Sequence, residues 1–184
     1  MQRASGRPAP GLYAAIRDVP DFPKPGILFR DITPLLLQPN LFARAVRGMT
    51  APFRKKPIDC VLAVESRGFI LGAPIALALG ASLVLARKPG KLPWKRHRVE
   101  YELEYGTDAI EIHQDSIVAG QRVLLVDDVL ATGGTASAAI RAVEQAGGKL
   151  VGVTFLIELT ALEGRKRLGK ARVASLLTYP RPRQ

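Results

Sequence analysis

The chain has 184 residues, of which 47% are apolar and 23% charged; these are the values of one ordinary globular domain with at most a small appendage, and they exclude a disordered, a collagen-like or a coiled-coil chain. The 27 Lys and Arg against 16 Asp and Glu leave a net charge of +11. A surplus of that size draws anions, whether nucleic acid, an anionic membrane surface or phosphorylated small molecules, and charge alone does not choose among them.

The opening MQRASGRPAPG has arginine and proline but no apolar run behind them, so it does not read as a signal peptide, and residues 1–11 are expected to be a tail. Pro20, Pro23, Pro25, Gly26 and Pro34 punctuate residues 12–34. One short helix over Leu12–Arg17 and then an extended arm are predicted. Asn40 is placed to cap a helix whose buried face is Phe42, Ala45, Val46, Met49 and Phe53. A basic turn at Arg54–Pro57 leads into Ile58–Val64, a short, mostly apolar run of the kind found in strands covered on both faces. The run holds Cys60, the one cysteine. Neither an intrachain disulfide nor a cysteine zinc cage can then form, and a reducing, cytoplasmic setting is expected.

Gly68–Ala86 carries no charge over 19 residues, a length that raises the question of a membrane span. Gly72, Pro74, Gly80 and Ser82 interrupt it, and it reads instead as a buried helix ending at Gly80 followed by a strand over Ser82–Ala86. Residues 87–99, RKPGKLPWKRHRV, are basic, broken by proline and predicted to be a long loop. Alternation in Glu100–Tyr105 and Ala109–His113 around Gly106-Thr107-Asp108 predicts a hairpin. Arg122–Val126 is predicted to be a buried strand, Ala136–Ala146 a helix closed by Gly147-Gly148, Leu150–Ile157 a strand, Leu162–Leu168 a short helix and Val173–Leu177 a last strand. Strands alternating with helices make an α/β fold with a mostly parallel sheet.

The segment VLLVDDVLATGGT says most about chemistry. Asp127 and Asp128 are placed at the C-terminal end of a strand, where open α/β sheets bind ligands. Ala131, Thr132, Gly133, Gly134 and Thr135 form a turn at a helix start, whose amides and hydroxyls suit a phosphate. The carboxylates would accept hydrogen bonds from sugar hydroxyls or stand near magnesium. A diol acceptor beside a monophosphate cradle implies a ribose 5-phosphate. Read instead as a Walker B strand, VLLVDD needs a Walker A loop. The nearest approach, Gly164 to Lys170, is followed by Ala171 where Ser or Thr should hold magnesium.

VLLVDDVLATGGT resembles the phosphoribosyl pyrophosphate motif of the type I phosphoribosyltransferases. FPKPGILFRDITPLL (22–36), ESRGF (65–69), RKPGKLP (87–93), LEYG (103–106) and IELT (157–160) fall in the order of the adenine phosphoribosyltransferase family. The resemblance covers about residues 12–179. It implies the type I phosphoribosyltransferase fold, with a hood over 12–36, a flexible flap hairpin over 87–113 and a basic tail at 180–184. It implies a purine-salvage reaction in which adenine and phosphoribosyl pyrophosphate give AMP and pyrophosphate, with Mg2+ held mainly by substrate and water. It also implies a homodimer.

By the same resemblance, Ser66, Arg67, Arg87, Lys88 and Lys91 meet the pyrophosphate, with Arg67 and Arg87 also catalytic. Glu104 handles a proton on the purine, Tyr105 serves the flap, and Leu28, Phe29, Arg30 and Leu159 hold adenine. The Glu65–Ser66 peptide is expected to be strained or cis. Neither membrane nor nucleic acid is an expected partner. The alternatives are a regulator of this fold that binds phosphoribosyl pyrophosphate and nucleic acid, or the same chemistry on a 6-oxopurine or orotate.

Overall fold

The proline-rich start folds in short pieces, as its composition requires. In the computed structural model, which describes residues 11–102 and 107–180, the chain divides into two units after Gly48. In the first unit a single 3₁₀ turn spans Tyr13–Ala15. The arm beyond it is a small antiparallel ribbon: β1 (Arg17–Val19) pairs with β2 (Phe29–Asp31), Asp18 opposite Arg30. The Asp31 carboxylate accepts hydrogen bonds from the Thr33 N–H and hydroxyl at 2.9 and 2.8 Å and so starts the short α1, Thr33–Leu36. Helix α2 runs Pro39–Thr50. Proline's fixed φ suits the first helical position, and the Phe42 N–H donates to the Gln38 carbonyl at 2.9 Å. Asn40 therefore lies inside the helix rather than capping it. Ala45, Val46, Met49 and Phe53 are buried as the spacing predicts.

The second unit is built on β3 (Cys60–Val64), buried at every position. Helix α3 (Arg67–Leu79) comes next and ends at Gly80 in the left-handed conformation. Strand β4 (Ser82–Ala86) completes the expected pair. After a loop come β5 (Arg96–Glu102) and β6 (Thr107–His113), joined as an antiparallel ribbon. Strand β7 is Arg122–Leu130, α4 is Gly134–Gln145, β8 is Lys149–Leu159 and β9 is Val173–Tyr179. The central sheet is parallel throughout, in the order β4-β3-β7-β8-β9. Among the described residues no helix is long and apolar enough to cross a membrane.

Of the boundaries that differ from those the sequence predicts, three bear on the site. The 87–99 loop is shorter, because Arg96–Val99 already pairs with Ile110–His113. Val99 and Tyr101 are buried while Arg96, Arg98, Glu100 and Glu102 are exposed, which is the alternation of a half-buried strand. The helix expected over Leu162–Leu168 is two 3₁₀ turns, Thr160–Leu162 and Gly164–Leu168. Strand β7 continues past Val126, since β8 keeps pairing with it as far as Leu130 opposite Glu158. Asp127 and Asp128 thus stand inside the strand, with Val129 and Leu130 after them, rather than at its end.

Helix α3 lies close on the sheet. A Cβ on Gly72 would come within 2.5 Å of the Ala63 Cβ, so Gly72→Ala must push helix from strand. The expected cost is about 1–3 kcal/mol, the usual penalty for overpacking. Urea denaturation should show it as a lower midpoint with an unchanged slope.

Candidate active site

The acidic pair is buried: Asp127 is 9% exposed and Asp128 5%. Burial pushes both carboxyls above the ordinary range, and the neighbouring Asp128 charge adds to the rise at Asp127. Arg67 opposes it, its Nε lying 2.5 Å from Asp128 Oδ2. Asp127 Oδ1 accepts the Asp128 N–H at 2.8 Å. Gly68, in the first turn of α3, leaves this room: a Cβ there would sit 3.0 Å from Asp127 Oδ1. The start of α3 thus brings a guanidinium and open backbone to the two carboxylates.

Beyond the strand the chain turns through Ala131, Thr132, Gly133 and Gly134 into α4, with Thr135 in its first turn. The turn and Asp127 together line a cavity of about 80 Å³. Gly133 has φ +84°, and a Cβ there would stand 2.4 Å from the Gly164 carbonyl oxygen. Conversely, a Cβ on Gly164 would stand 2.2 Å from the Ala131 carbonyl oxygen. Two glycine backbones therefore interlock, and the 3₁₀ turn at Gly164–Leu168 buttresses the loop from behind. The amides at the start of a 12-residue helix and the positive end of its dipole favour an anion here.

The cationic residues singled out in the sequence lie on the segment after β4 and at the start of α3. Arg87 donates from Nε and Nη2 to the two oxygens of Glu65, each at 3.2 Å, a bidentate fork. Its Nη1 donates to the Lys91 carbonyl at 3.0 Å, and its guanidinium lies 6.0 Å from the Phe69 ring centre. The Lys88 N–H also donates to Glu65, at 3.0 Å. Burial raises the Glu65 carboxyl, but Arg87 and the Lys88 amide outweigh it and hold it below its ordinary value. Lys88 Nζ pairs with Asp108 and donates to Tyr101 Oη at 2.9 Å. Ser66 is exposed immediately before α3, and the Glu65–Ser66 peptide is cis.

The Glu65 fork sets an expectation. Its pairing is present above the unfolded pKa and is lost only as pH falls through the lowered folded one. Between about pH 5 and 9, Glu65 should contribute no titration to anion binding. If Arg87 takes the pyrophosphate as the resemblance implies, Glu65→Gln should weaken binding of magnesium pyrophosphate about three- to tenfold, through the loosened Arg87, as calorimetric titration would read.

Leu28, Phe29 and Arg30 belong to the first unit. There Phe29 meets Phe22 edge-on, ring centres 5.1 Å apart, and Arg30 is ion-paired with Asp18. Leu159 ends β8 in the second unit. Glu104 and Tyr105 lie outside the described residues. Among the described residues no three of His, Cys, Asp and Glu group as a cation cage. Cys60 is buried, which pushes its thiol up to about 11 and keeps it from acting as a nucleophile at neutral pH.

Sequence reasoning passes over three participants. Glu65 stands out in the sequence only for its peptide bond. Gly164 reads as part of the short helix expected over Leu162–Leu168, although a glycine between Glu163 and Arg165 is an odd choice for a helix. Tyr101 reads only as one position of an alternating strand, and an aromatic with a polar tip at a buried position is the available signal.

A family model described as the phosphoribosyl transferase domain matches residues 36–177. The chain is 60% identical over 168 residues to an adenine phosphoribosyltransferase of Myxococcus xanthus, covering 91% of each chain. The adenine phosphoribosyltransferase of Saccharomyces cerevisiae, solved with D-2,5-dideoxy-2,5-imino-altritol 1,6-bisphosphate and adenine, matches with a TM-score of 0.85 at 42% identity, covering 90% of this chain and 96% of that one. The enzyme of Trypanosoma brucei, solved with AMP, pyrophosphate and ribose-5-phosphate, matches with a TM-score of 0.85 at 26% identity, covering 97% and 82%.

Proposed function

The chain belongs to the adenine phosphoribosyltransferases within the phosphoribosyl transferase domain family, and on that premise we propose how its own residues carry out the transfer. It is a purine-salvage enzyme: adenine and phosphoribosyl pyrophosphate give AMP and pyrophosphate. The C1–O bond to pyrophosphate breaks and a C1–N9 bond to adenine forms. Positive charge gathers on the ribose and negative charge on the leaving group, so electrostatic preorganisation must supply much of the rate.

Asp127 and Asp128 accept hydrogen bonds from the ribose hydroxyls and face the developing positive charge. Ala131, Thr132, Gly133, Gly134 and Thr135 hold the 5-phosphate through backbone amides and hydroxyls. Ser66, Arg67, Arg87, Lys88 and Lys91 take the pyrophosphate, with Arg67 and Arg87 neutralising it as it departs. Leu28, Phe29 and Arg30 read the base, and so does Leu159. Glu104 receives the N9 proton and Tyr105 serves flap closure; both assignments rest on the LEYG motif. The observation that carries the reading is the buried acidic pair beside the 131–135 loop, with Arg67 on Asp128 at 2.5 Å.

The donor set fits a magnesium ion carried by its substrate. The paired carboxylates at this loop are already engaged by Arg67 and by the chain's own amide, and they serve as acceptors for sugar rather than as a cage. When bound, magnesium offsets the charge of the pyrophosphate oxygens. A homodimer is supported by the apolar side chains that α3 and β4 expose, Ile70, Leu77, Leu83 and Leu85. A cytoplasmic setting is supported by the single cysteine, buried and free.

Pyrophosphate release from phosphoribosyl pyrophosphate, measured with and without adenine, separates this enzyme from a regulator of the same fold. The enzyme releases pyrophosphate in proportion to adenine consumed. Tight binding of phosphoribosyl pyrophosphate with no adenine-dependent release would overturn the reading.

A further inference from the structure

We propose that Tyr101 is a positioning residue whose hydroxyl couples the two anion-binding ends of the site, an inference that rests on the transfer reading above. Three other chain segments converge on this one oxygen. Lys88, from the loop after β4, places Nζ 2.9 Å from Tyr101 Oη. Thr135, from the first turn of α4, places Oγ1 at 3.1 Å. Asp108, from β6, places Oδ2 at 3.1 Å and also pairs with Lys88 Nζ. The ring is fixed as well: Tyr101 is 6% exposed, and its Cδ2 lies 3.3 Å from where a Cβ on Gly134 would stand. Lys88 belongs to the pyrophosphate end of the site and Thr135 to the 5-phosphate end, so Tyr101 lies between them.

The donor count gives the arrangement a purpose. An ammonium has three N–H donors. Tyr101 and Asp108 take two of the Lys88 donors, which leaves one and aims it. Asp108 also accepts the Ala109 N–H on Oδ1 at 2.8 Å, which fixes the carboxylate whose Oδ2 takes Lys88 and the tyrosine. The Tyr101 hydroxyl donates to Asp108 Oδ2, and its oxygen accepts from both Lys88 Nζ and the Thr135 hydroxyl, so one oxygen orients a group at each end of the site. The result is a network in which the Lys88 ammonium and the Thr135 hydroxyl both donate to one oxygen whose own hydrogen goes to Asp108, so that each bond polarises the others. Burial works against charge on Lys88, but Asp108 and Tyr101 outweigh it and hold the ammonium above its ordinary value.

Tyr101→Phe keeps the ring and its packing and removes only the hydroxyl. Isothermal titration with magnesium pyrophosphate and, separately, with ribose 5-phosphate reads each end alone. For Tyr101→Phe both dissociation constants should rise about fivefold, the worth of one net hydrogen bond. The KM for phosphoribosyl pyrophosphate should rise with them while the KM for adenine stays unchanged. Asp108→Asn should raise the pyrophosphate constant more than the ribose 5-phosphate constant, because Asp108 touches Lys88 directly and Thr135 only through Tyr101.

A Tyr101→Phe protein that shifts neither constant, or only one of them, would overturn the coupling. So would one whose sole change is a lower melting temperature. If the wild-type protein binds both ligands but makes no AMP from adenine, the transfer reading falls, while the two binding constants still decide the role of Tyr101.

Discussion

Asp128→Asn is expected to lower kcat/KM for phosphoribosyl pyrophosphate by about 10²–10³-fold while leaving the sheet intact. The carboxylate is buried in β7 and paired with Arg67 at 2.5 Å. Asparagine keeps the shape but removes the charge proposed to face the developing cation and leaves the guanidinium without its ionic partner. Loss of one preorganised electrostatic group costs about 2.7–4 kcal/mol at the transition state, which is the stated range. Stability should respond differently at Asp127. Its carboxyl is held above the ordinary range by burial and by Asp128, so the folded state binds a proton more tightly than the unfolded one. The penalty for ionisation is therefore present at neutral pH and fades as pH falls through the raised pKa. Asp127→Asn retains an oxygen to accept the Asp128 N–H. It should melt higher than wild type at neutral pH, by about 2–4 °C for each 1 kcal/mol relieved. The gain should shrink on acidification, and activity should be lost. A thermal melt across pH, beside initial rates, reads both effects.

Gly133→Ala is the second large expected loss. A side chain at φ +84° costs about 1–2 kcal/mol, and the added Cβ would stand 2.4 Å from the Gly164 carbonyl. The loop must move, and the amides proposed to hold the 5-phosphate move with it. The KM for phosphoribosyl pyrophosphate should rise about 30- to 100-fold, with the KM for adenine nearly unchanged. Gly164→Ala isolates the contact from the strain, because Gly164 has no positive φ while its Cβ would meet the Ala131 carbonyl at 2.2 Å. The same KM pattern in Gly164→Ala, at smaller amplitude, would show that the interlock sets the loop. Normal KM values in both variants would show that the loop does not hold the phosphate.

The parts of the fold that are legible in the sequence are those written in local pattern. Cys60–Val64 is apolar at every position and is buried at every position. Gly80 ends α3 in the left-handed conformation expected of a helix-closing glycine. The parts that are not legible depend on partners distant in sequence. β7 runs on through Asp127 and Asp128 because β8 continues to pair with it, and no propensity of the acidic residues announces that. The strand at Arg96–Val99 is hidden by basic residues that read as loop, and only its pairing with Ile110–His113 reveals it. In the site, the doubled acid and the Thr-Gly-Gly-Thr turn are plain because adjacent residues carry them. Glu65, Tyr101 and Gly164 act through tertiary contacts with Arg87, Thr135 and Ala131, and such contacts have no signature in linear spacing.

The central claim is that this site joins ribose 5-phosphate to adenine with pyrophosphate as leaving group. The most direct test incubates purified protein with magnesium and phosphoribosyl pyrophosphate. Adenine, hypoxanthine, guanine and orotate are offered separately, and each nucleotide product is identified by chromatography. AMP from adenine, with no product from the other three and AMP formed about 10²–10³-fold more slowly by the Asp128→Asn protein, is the predicted result. A nucleotide formed from another base in preference to adenine, or no nucleotide from any of them, would contradict it.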